Sequence, residues 1–306
     1  MFKKMHAVAR QVNQVVIGKE HQVRLALTCL LANGHLLIED VPGVGKTTLA
    51  HALALSLGLQ FNRVQFTSDL LPADVAGSAI YARETGGFVF HPGPIFTQVL
   101  LADEINRATP KTQSGLLEAM EERQVTSDGT TRALPTPFFV IATQNPAHQV
   151  GTFSLPESQL DRFLMCLSLG YPDAAAERAL LMGEDRRSML KTLPAAMQPA
   201  ELTEAQLALR TIHASSKLVD YVQSLARASR EGGLFAEGLS PRAAIALLHA
   251  GRAWAAMEGR DHVIPEDIQL LLGPVCAHRL RPLKSAHGAA LASADLLLQL
   301  QQSVPL

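Results

Sequence analysis

Apolar and polar residues follow two rhythms along this chain. From Lys3 to Val16 the apolar residues Met5, Val8, Ala9, Val12 and Val15/Val16 recur at helical spacing and share one side. Ile17-Gly18-Lys19 interrupts the pattern, and Glu20 to Leu31 predicts a second helix ending at Asn33-Gly34. Short apolar runs then appear at Leu36 to Ile38, Phe61 to Phe66, Gln98 to Ala102, Phe138 to Ala142 and Phe163 to Leu169. These have strand length, and helical segments lie between them, with Thr109-Pro110 capping one through Glu122 and another near Pro156 to Leu160. Strands alternating with helices predict a parallel sheet covered on both faces.

Two stretches break the alternation. Residues 67–94 carry Gly77, Gly86-Gly87 and Gly93, with strand-like patches around Ala79 to Tyr81 and Gly87 to His91. So long an excursion inside an α/β core reads as a functional projection. Residues 123–137 hold Asp128-Gly129 between Val125 and Arg132, a hairpin signal. After Tyr171-Pro172 the strand signals stop. Helices are predicted over Ala174 to Met189, Glu204 to Ala214, Val219 to Arg230, Pro241 to Met257, Pro265 to Ala277 and Ala289 to Gln301. The proline-dotted stretch Leu193 to Pro199 is the expected linker, which divides the chain into an α/β domain over 1–190 and an all-helical domain over 200–306.

The chemistry concentrates where the first strand meets its helix, in HLLIEDVPGVGKTTLAH from His35 to His51. A buried strand, a glycine loop and a helix in that order make a phosphate cradle. In the loop Pro42, Gly43, Val44 and Gly45, the two glycines let backbone N–H groups turn inward at an anion, and the helix N-terminus adds partial positive charge. Lys46 supplies a point charge, the Thr47 hydroxyl can hold Mg²⁺, and Thr48 continues the turn. Asp40 stands where this G-x-x-x-x-G-K-[ST] loop ordinarily begins with glycine. The expected ligand is a nucleoside triphosphate, ATP or ADP, with Val16 and Ile17 either flooring the adenine or packing in the core.

Three further groups complete a hydrolytic set. Asp103-Glu104 end an apolar strand expected beside the loop strand, where Asp103 would hold the Mg²⁺ shell and Glu104 deprotonate a water. Asn145, after the fourth strand, can hold that water, or it is a turn residue before Pro146. Arg162 precedes the fifth strand at a rim from which it cannot easily reach its own loop. It would serve a neighbouring subunit's γ-phosphate, or else pair with Asp161 or Glu157. Arg242 lies one residue inside a helix opened by Ser240 and Pro241, a place from which it could point back at a nucleotide between the domains.

Composition narrows the function classes. The 306 residues carry 27 basic and 28 acidic side chains, so no global field draws nucleic acid or anionic membrane. Three cysteines and 11 histidines show no metal or redox spacing. The start MFKKMHAVARQVNQVVIG lacks a long apolar core, and no run reaches membrane-span length, so a cytoplasmic location is expected.

VLLADEINRA, IATQNP, GTFSLPESQLDRF, GLSPRAA and the late VIPEDI with HRL together resemble the MoxR family of AAA+ ATPases over essentially the whole chain. The resemblance implies a P-loop AAA+ module with a five-stranded parallel sheet and a helical lid. It implies a Walker A at Gly43, Gly45, Lys46 and Thr47, a Walker B at Asp103 and Glu104, and a sensor 1 at Asn145. It further implies an arginine finger at Arg162, a sensor 2 at Arg242, a helix-2 insert over 67–94 and a pre-sensor-1 hairpin. Asn106 and Arg107 either contact the adjacent protomer or cap a helix. Such proteins act as chaperone-like ring ATPases, a hexamer being the family expectation, often with a von Willebrand factor A domain partner, in client maturation or metal-cofactor insertion. A nucleic-acid motor and a chelatase motor subunit are the alternatives; the hairpin's Arg123 and Arg132 alternate with acids and no aromatic, which disfavours nucleic acid.

Overall fold

The computed structural model describes residues 3–84, 86–145, 151–183, 186–283 and 293–305. Helices α1 (Lys3–Val15) and α2 (Glu20–Leu31) precede strand β1 (His35–Glu39) and helix α3 (Lys46–Ser56). Then follow β2 (Phe61–Gln65), the short helix α4 (Pro72–Ala76), β3 (Gly77–Ala82), β4 (Gly87–Pro92), β5 (Val99–Asp103) and α5 (Pro110–Glu122). The hairpin β6 (Gln124–Ser127) and β7 (Thr130–Ala133) leads to β8 (Phe139–Gln144), α6 (Glu157–Leu160) and β9 (Phe163–Leu167). The remainder comprises α7 (Ala174–Met182), α8 (Arg186–Lys191), α9 (Pro199–Ala208), α10 (Ser216–Glu231), β10 (Phe235–Glu237), α11 (Pro241–Met257), α12 (Pro265–Cys276), β11 (Arg281–Pro282) and α13 (Ser293–Ser303).

Five parallel strands form the sheet in the order β2-β5-β8-β1-β9. In β1, Leu36 and Ile38 are fully buried in the core that α2 and α3 share, whereas Leu37 is fully buried in the core under α5. Burial on both faces is why this strand reads as a continuous apolar run rather than an alternation. The expectation that β5 lies beside β1 is corrected here, because β8 sits between them. A parallel crossover can pass over a strand position, so chain order does not fix adjacency.

The excursion over 67–94 folds as α4 and the antiparallel pair β3–β4, apart from Thr85, which lies outside the described residues. Asp128 and Gly129 take φ of +52° and +72°, the left-handed pair a two-residue hairpin turn requires. The two hairpins touch, for the Ala79 N–H donates to Asp128 Oδ2 at 3.1 Å and the Arg132 guanidinium lies 3.7 Å over the Phe90 ring.

The Leu193 to Pro199 stretch is not a free tether. The N–H groups of Ala196 and Met197 donate to the Ser56 carbonyl, and Met197 is buried. Gly58, at φ +65°, lets the chain approach so closely that a Cβ would stand 2.7 Å from the Met197 carbonyl. Among the described residues, the C-terminal region is helical apart from a bridge between His213 and His262 and the ribbon β10–β11, whose strands are too short to leave a period in the sequence. The predicted helix over Ala174 to Met189 is two helices, with residues 184 and 185 outside the described set, as are 289–292 of the last predicted helix.

His35, at the start of β1, is a buried polar link between layers. Val140 N–H donates to its Nδ1 at 2.9 Å, which places the ring proton on Nε2, 3.1 Å from the Met120 carbonyl. Burial pushes the imidazole from 6.5 down to about 4. The folded value lies below the unfolded one, so stability is complete above pH 6.5 and falls as pH drops toward about 4. The expected slope from this residue is ~1.4 kcal/mol per pH unit. Urea unfolding at pH 7 and pH 5 should therefore show a shallower loss in His35→Gln than in wild type; equal losses would remove His35 from the account.

Candidate functional site

The carboxyl ends of β1, β2, β5 and β8 meet at one rim, the place where open α/β sheets bind ligands. A cavity of about 340 Å³ opens there. Pro42, Gly43, Gly45, Lys46, Thr47 and Thr48 form one wall, and Arg63, Gln65, Asp103, Glu104 and Asn145 face them. Gly43 and Gly45 take φ of +86° and +97°, and a Cβ at either would meet nothing within 4 Å, so the loop leaves an open cradle. Val44 turns away and packs against the core. Gly45 caps α3, whose first N–H groups are unpaired within the helix. Backbone amides, an ammonium and the Thr47 hydroxyl opposite the Asp103 carboxylate are the donor set that a phosphate chain with a divalent cation requires.

Asn145 occupies the centre. Lys46 Nζ donates to its Oδ1 at 3.0 Å, and its Nδ2 donates to Glu104 Oε1 at 3.1 Å. Lys46 also donates to the carbonyls of Asp40 at 2.5 Å and Val41 at 3.3 Å. Burial lowers the ammonium's pKa, against the pull of Asp40, Asp103 and Glu104. Asn106 is buried and donates to the Asn145 backbone carbonyl at 3.3 Å, so it braces the loop that carries the amide.

Both acids at the end of β5 are engaged. Asp103 Oδ1 accepts from the Thr143 hydroxyl at 2.5 Å, and that same oxygen of Thr143 accepts the Glu104 N–H at 2.9 Å. Asp103 Oδ2 accepts from Arg63 Nη2 at 2.7 Å and Nε at 3.1 Å. Glu104 Oε2 accepts from Gln65 Nε2 and Arg107 Nη1, each at 2.8 Å. Glu104 sits at φ +56°, a left-handed turn that swings its carboxylate into the cavity. Arg63, Gln65 and Thr143 escaped the sequence reading. Their signal was present, since all three stand near the carboxyl ends of neighbouring strands.

Asp40, the departure from a glycine, is a structural joint. Its Oδ2 accepts the N–H groups of Leu169 and Gly170, each at 2.6 Å, and the Ser168 hydroxyl at 3.0 Å, while Oδ1 accepts Val41 N–H at 2.7 Å. Burial alone would raise its pKa, but these four donors outweigh it and hold the carboxyl below its ordinary value. Asp40→Gly, although it restores the usual loop residue, is expected to lower stability by about 2–4 kcal/mol, read as a drop in urea midpoint. An unchanged midpoint would show that the joint contributes nothing. Val16 is buried in the core, and neither it nor Ile17 lines the cavity. Their turn is closed by Lys19 Nζ donating to the Tyr171 carbonyl at 2.7 Å.

Arg162 and Arg242 lie elsewhere. With His35 and Leu164, at the starts of β1 and β9, they line a different hollow at the opposite end of the strands. Glu121, in the last turn of α5, joins them. Arg162 Nη1 lies 2.8 Å from one carboxylate oxygen, and Arg242 Nη2 donates to the other. The Arg242 hydrogen bond and both positive charges hold the Glu121 carboxyl below its ordinary value. Two expectations are thereby corrected. Arg162 pairs with neither Asp161 nor Glu157, which bind Arg279 and Arg281 instead. Arg242 does not point at this chain's own loop, because the helical region docks against the end of the sheet that carries Arg162.

Arg279 fixes that docking. Its buried guanidinium donates to Asp161 Oδ1 at 2.7 Å and to the Phe163 carbonyl at 2.7 Å, stapling the end of α12 to the Arg162 turn.

Residues 35–165 match the model of the ATPase family associated with various cellular activities (AAA), and residues 227–297 match the AAA lid domain. Chaperone MoxR1 of Mycobacterium tuberculosis is 40% identical over 283 residues, spanning 88% of this chain and 74% of that one. This chain belongs to the MoxR family of AAA+ ATPases. Protein MoxR of Paracoccus denitrificans is 36% identical over 298 residues, covering 88% of this chain and 86% of the relative. A crystal structure from Cytophaga hutchinsonii, provisionally described as an ATPase, superposes with a TM-score of 0.90 at 34% identity, covering 99% of this chain and 95% of the other. As a MoxR-family AAA+ protein it is a nucleotide-binding ATPase of a class whose members generally oligomerise. Among the described residues no helix is long and apolar enough to cross a membrane.

Proposed function

We propose that this MoxR-family protein binds ATP with Mg²⁺ between the Gly43–Thr48 loop and Asp103, and hydrolyses it to ADP and phosphate at interfaces between copies of itself. The observation that carries the reading is the separation of two half-sites. Lys46, Asn145 and Glu104 converge at one end of the sheet, while Arg162 and Arg242 share Glu121 at the other. When bound, Mg²⁺ supplies charge neutralisation for the phosphates, with Thr47 and Asp103 as its holders. Glu104 takes the proton of the attacking water, Asn145 orients it, and Lys46 steadies the terminal phosphates. Arg162 and Arg242 of one protomer complete the site of the next, in a ring for which a hexamer is the expected size.

The nucleotide-binding core is assigned to 1–190 and the lid to 200–306, with a cytoplasmic location. The work done is chaperone-like remodelling or maturation of client proteins, including metal-cofactor insertion, with a von Willebrand factor A domain protein as partner. The exposed Ile80, Tyr81 and Phe88 of the β3–β4 hairpin support a polypeptide client, and the neighbouring Arg132 is committed to Phe90. The test is specific ATPase activity against protein concentration. A rise toward a plateau is expected of shared sites, and a flat line would return the protein to a monomeric switch.

A further inference from the structure

We infer that Arg63 is a positioning residue that competes with the divalent cation for Asp103, a latch over the metal side of the cavity. This rests on the nucleotide reading above and adds a means of controlling when that site accepts metal. Asp103 has two carboxylate oxygens, and both are occupied by protein donors. Oδ1 takes the hydroxyl of Thr143, which is fully buried in the central strand β8 and cannot swing aside. Oδ2 takes two N–H groups of the Arg63 fork. Each carboxylate oxygen can accept at two lone pairs, so the two N–H groups of Arg63 fill Oδ2, whereas Oδ1 keeps one site beside the Thr143 hydroxyl. Opening Oδ2 to a cation, or to a water bound to one, requires Arg63 to yield.

Arg63 is the one built to move. It stands on the edge strand β2, directly in register with Leu101 of β5, with its side chain 49% exposed. Its long stem is free to turn toward solvent or toward an anion in the same cavity, whose wall it forms. A second tie holds it in the latched position, for Nη2 also donates to Gln65 Oε1 at 2.8 Å, while Gln65 Nε2 donates to Glu104. Displacing Arg63 from Asp103 thus loosens the contact on Glu104 through one intervening amide. Metal entry and release of Glu104 become linked events on a single strand edge.

The test measures metal binding without turnover. Mn²⁺ replaces Mg²⁺, ADP is held at saturation, and free Mn²⁺ is read by electron paramagnetic resonance for wild type, Arg63→Ala and Arg63→Lys. ADP affinity in EDTA is measured alongside. Arg63→Ala is expected to bind Mn²⁺ about tenfold more tightly. Arg63→Lys, which keeps the charge and loses the fork, is expected to tighten it about threefold at saturating ADP, the metal-free ADP affinity serving to set that saturation for each variant. Unchanged or weaker Mn²⁺ binding in Arg63→Ala overturns the latch. Arg63→Lys equal to wild type also overturns it, because charge at a distance would then account for the effect. Failure of the wild-type protein to bind ADP at all would instead overturn the nucleotide reading, and the latch with it.

Discussion

Arg162→Ala should lower ATP turnover by about 10³–10⁵, and mixing it with Lys46→Ala should restore part of the lost activity. Each variant alone lacks one half of every site. In a mixed ring, a protomer with an intact Lys46 meets a neighbour with an intact Arg162, and that interface is whole. The folded chain places these residues at opposite ends of the parallel strands, which is the geometry complementation needs. Arg242→Ala gives a sharper version of the same experiment. An arginine acting on its own subunit's nucleotide could not be rescued by Lys46→Ala, whereas one acting across the interface could. Because Arg242 shares Glu121 with Arg162, rescue is expected for both. Absence of rescue in either mixture, with the variants folded and co-assembled, would remove that arginine from the shared site.

Glu104→Gln is the second large effect. Turnover should fall by about 10²–10⁴ while ATP binding persists, because a general base is lost and no phosphate contact is removed. The amide keeps the size of the carboxyl and an oxygen for Asn145 Nδ2, and the Glu104 N–H still reaches Thr143. Turnover at saturating ATP, with binding of a fluorescent ATP analogue as control, separates the two quantities. Turnover close to wild type would mean that another group takes the proton.

Features written in local sequence were legible. The loop, its strand and its helix lie within one short stretch, and the helix Pro241–Met257 announces itself through Ser240 and Pro241. Asp128-Gly129 likewise encodes its own turn. What escaped was set by contacts between distant segments. The order of β1, β8 and β5 depends on how crossovers pass over the sheet, and no residue within those strands states it. Ser240 and Pro241 fix where α11 begins but not which end of the sheet it meets, so Arg242 was aimed at the wrong rim. That choice is made by contacts distant in sequence, α11 packing on α2 and Arg279 gripping the Asp161–Phe163 turn. In the sequence Asp40 is only a departure from glycine, because its partners, Ser168 to Gly170, lie far along the chain.

The Arg279 staple would give the proposed ring a direction. The lid and the turn bearing Arg162 form one unit on the face of the protomer opposite its own phosphate loop. If copies close into the proposed circle, a protomer's lid would answer to the neighbour whose γ-phosphate those arginines reach, and its own nucleotide would be felt by the lid of the subunit on the other side. Firing at one interface would then pass around that circle in one rotational sense, a handedness to which the buried Arg279 guanidinium contributes.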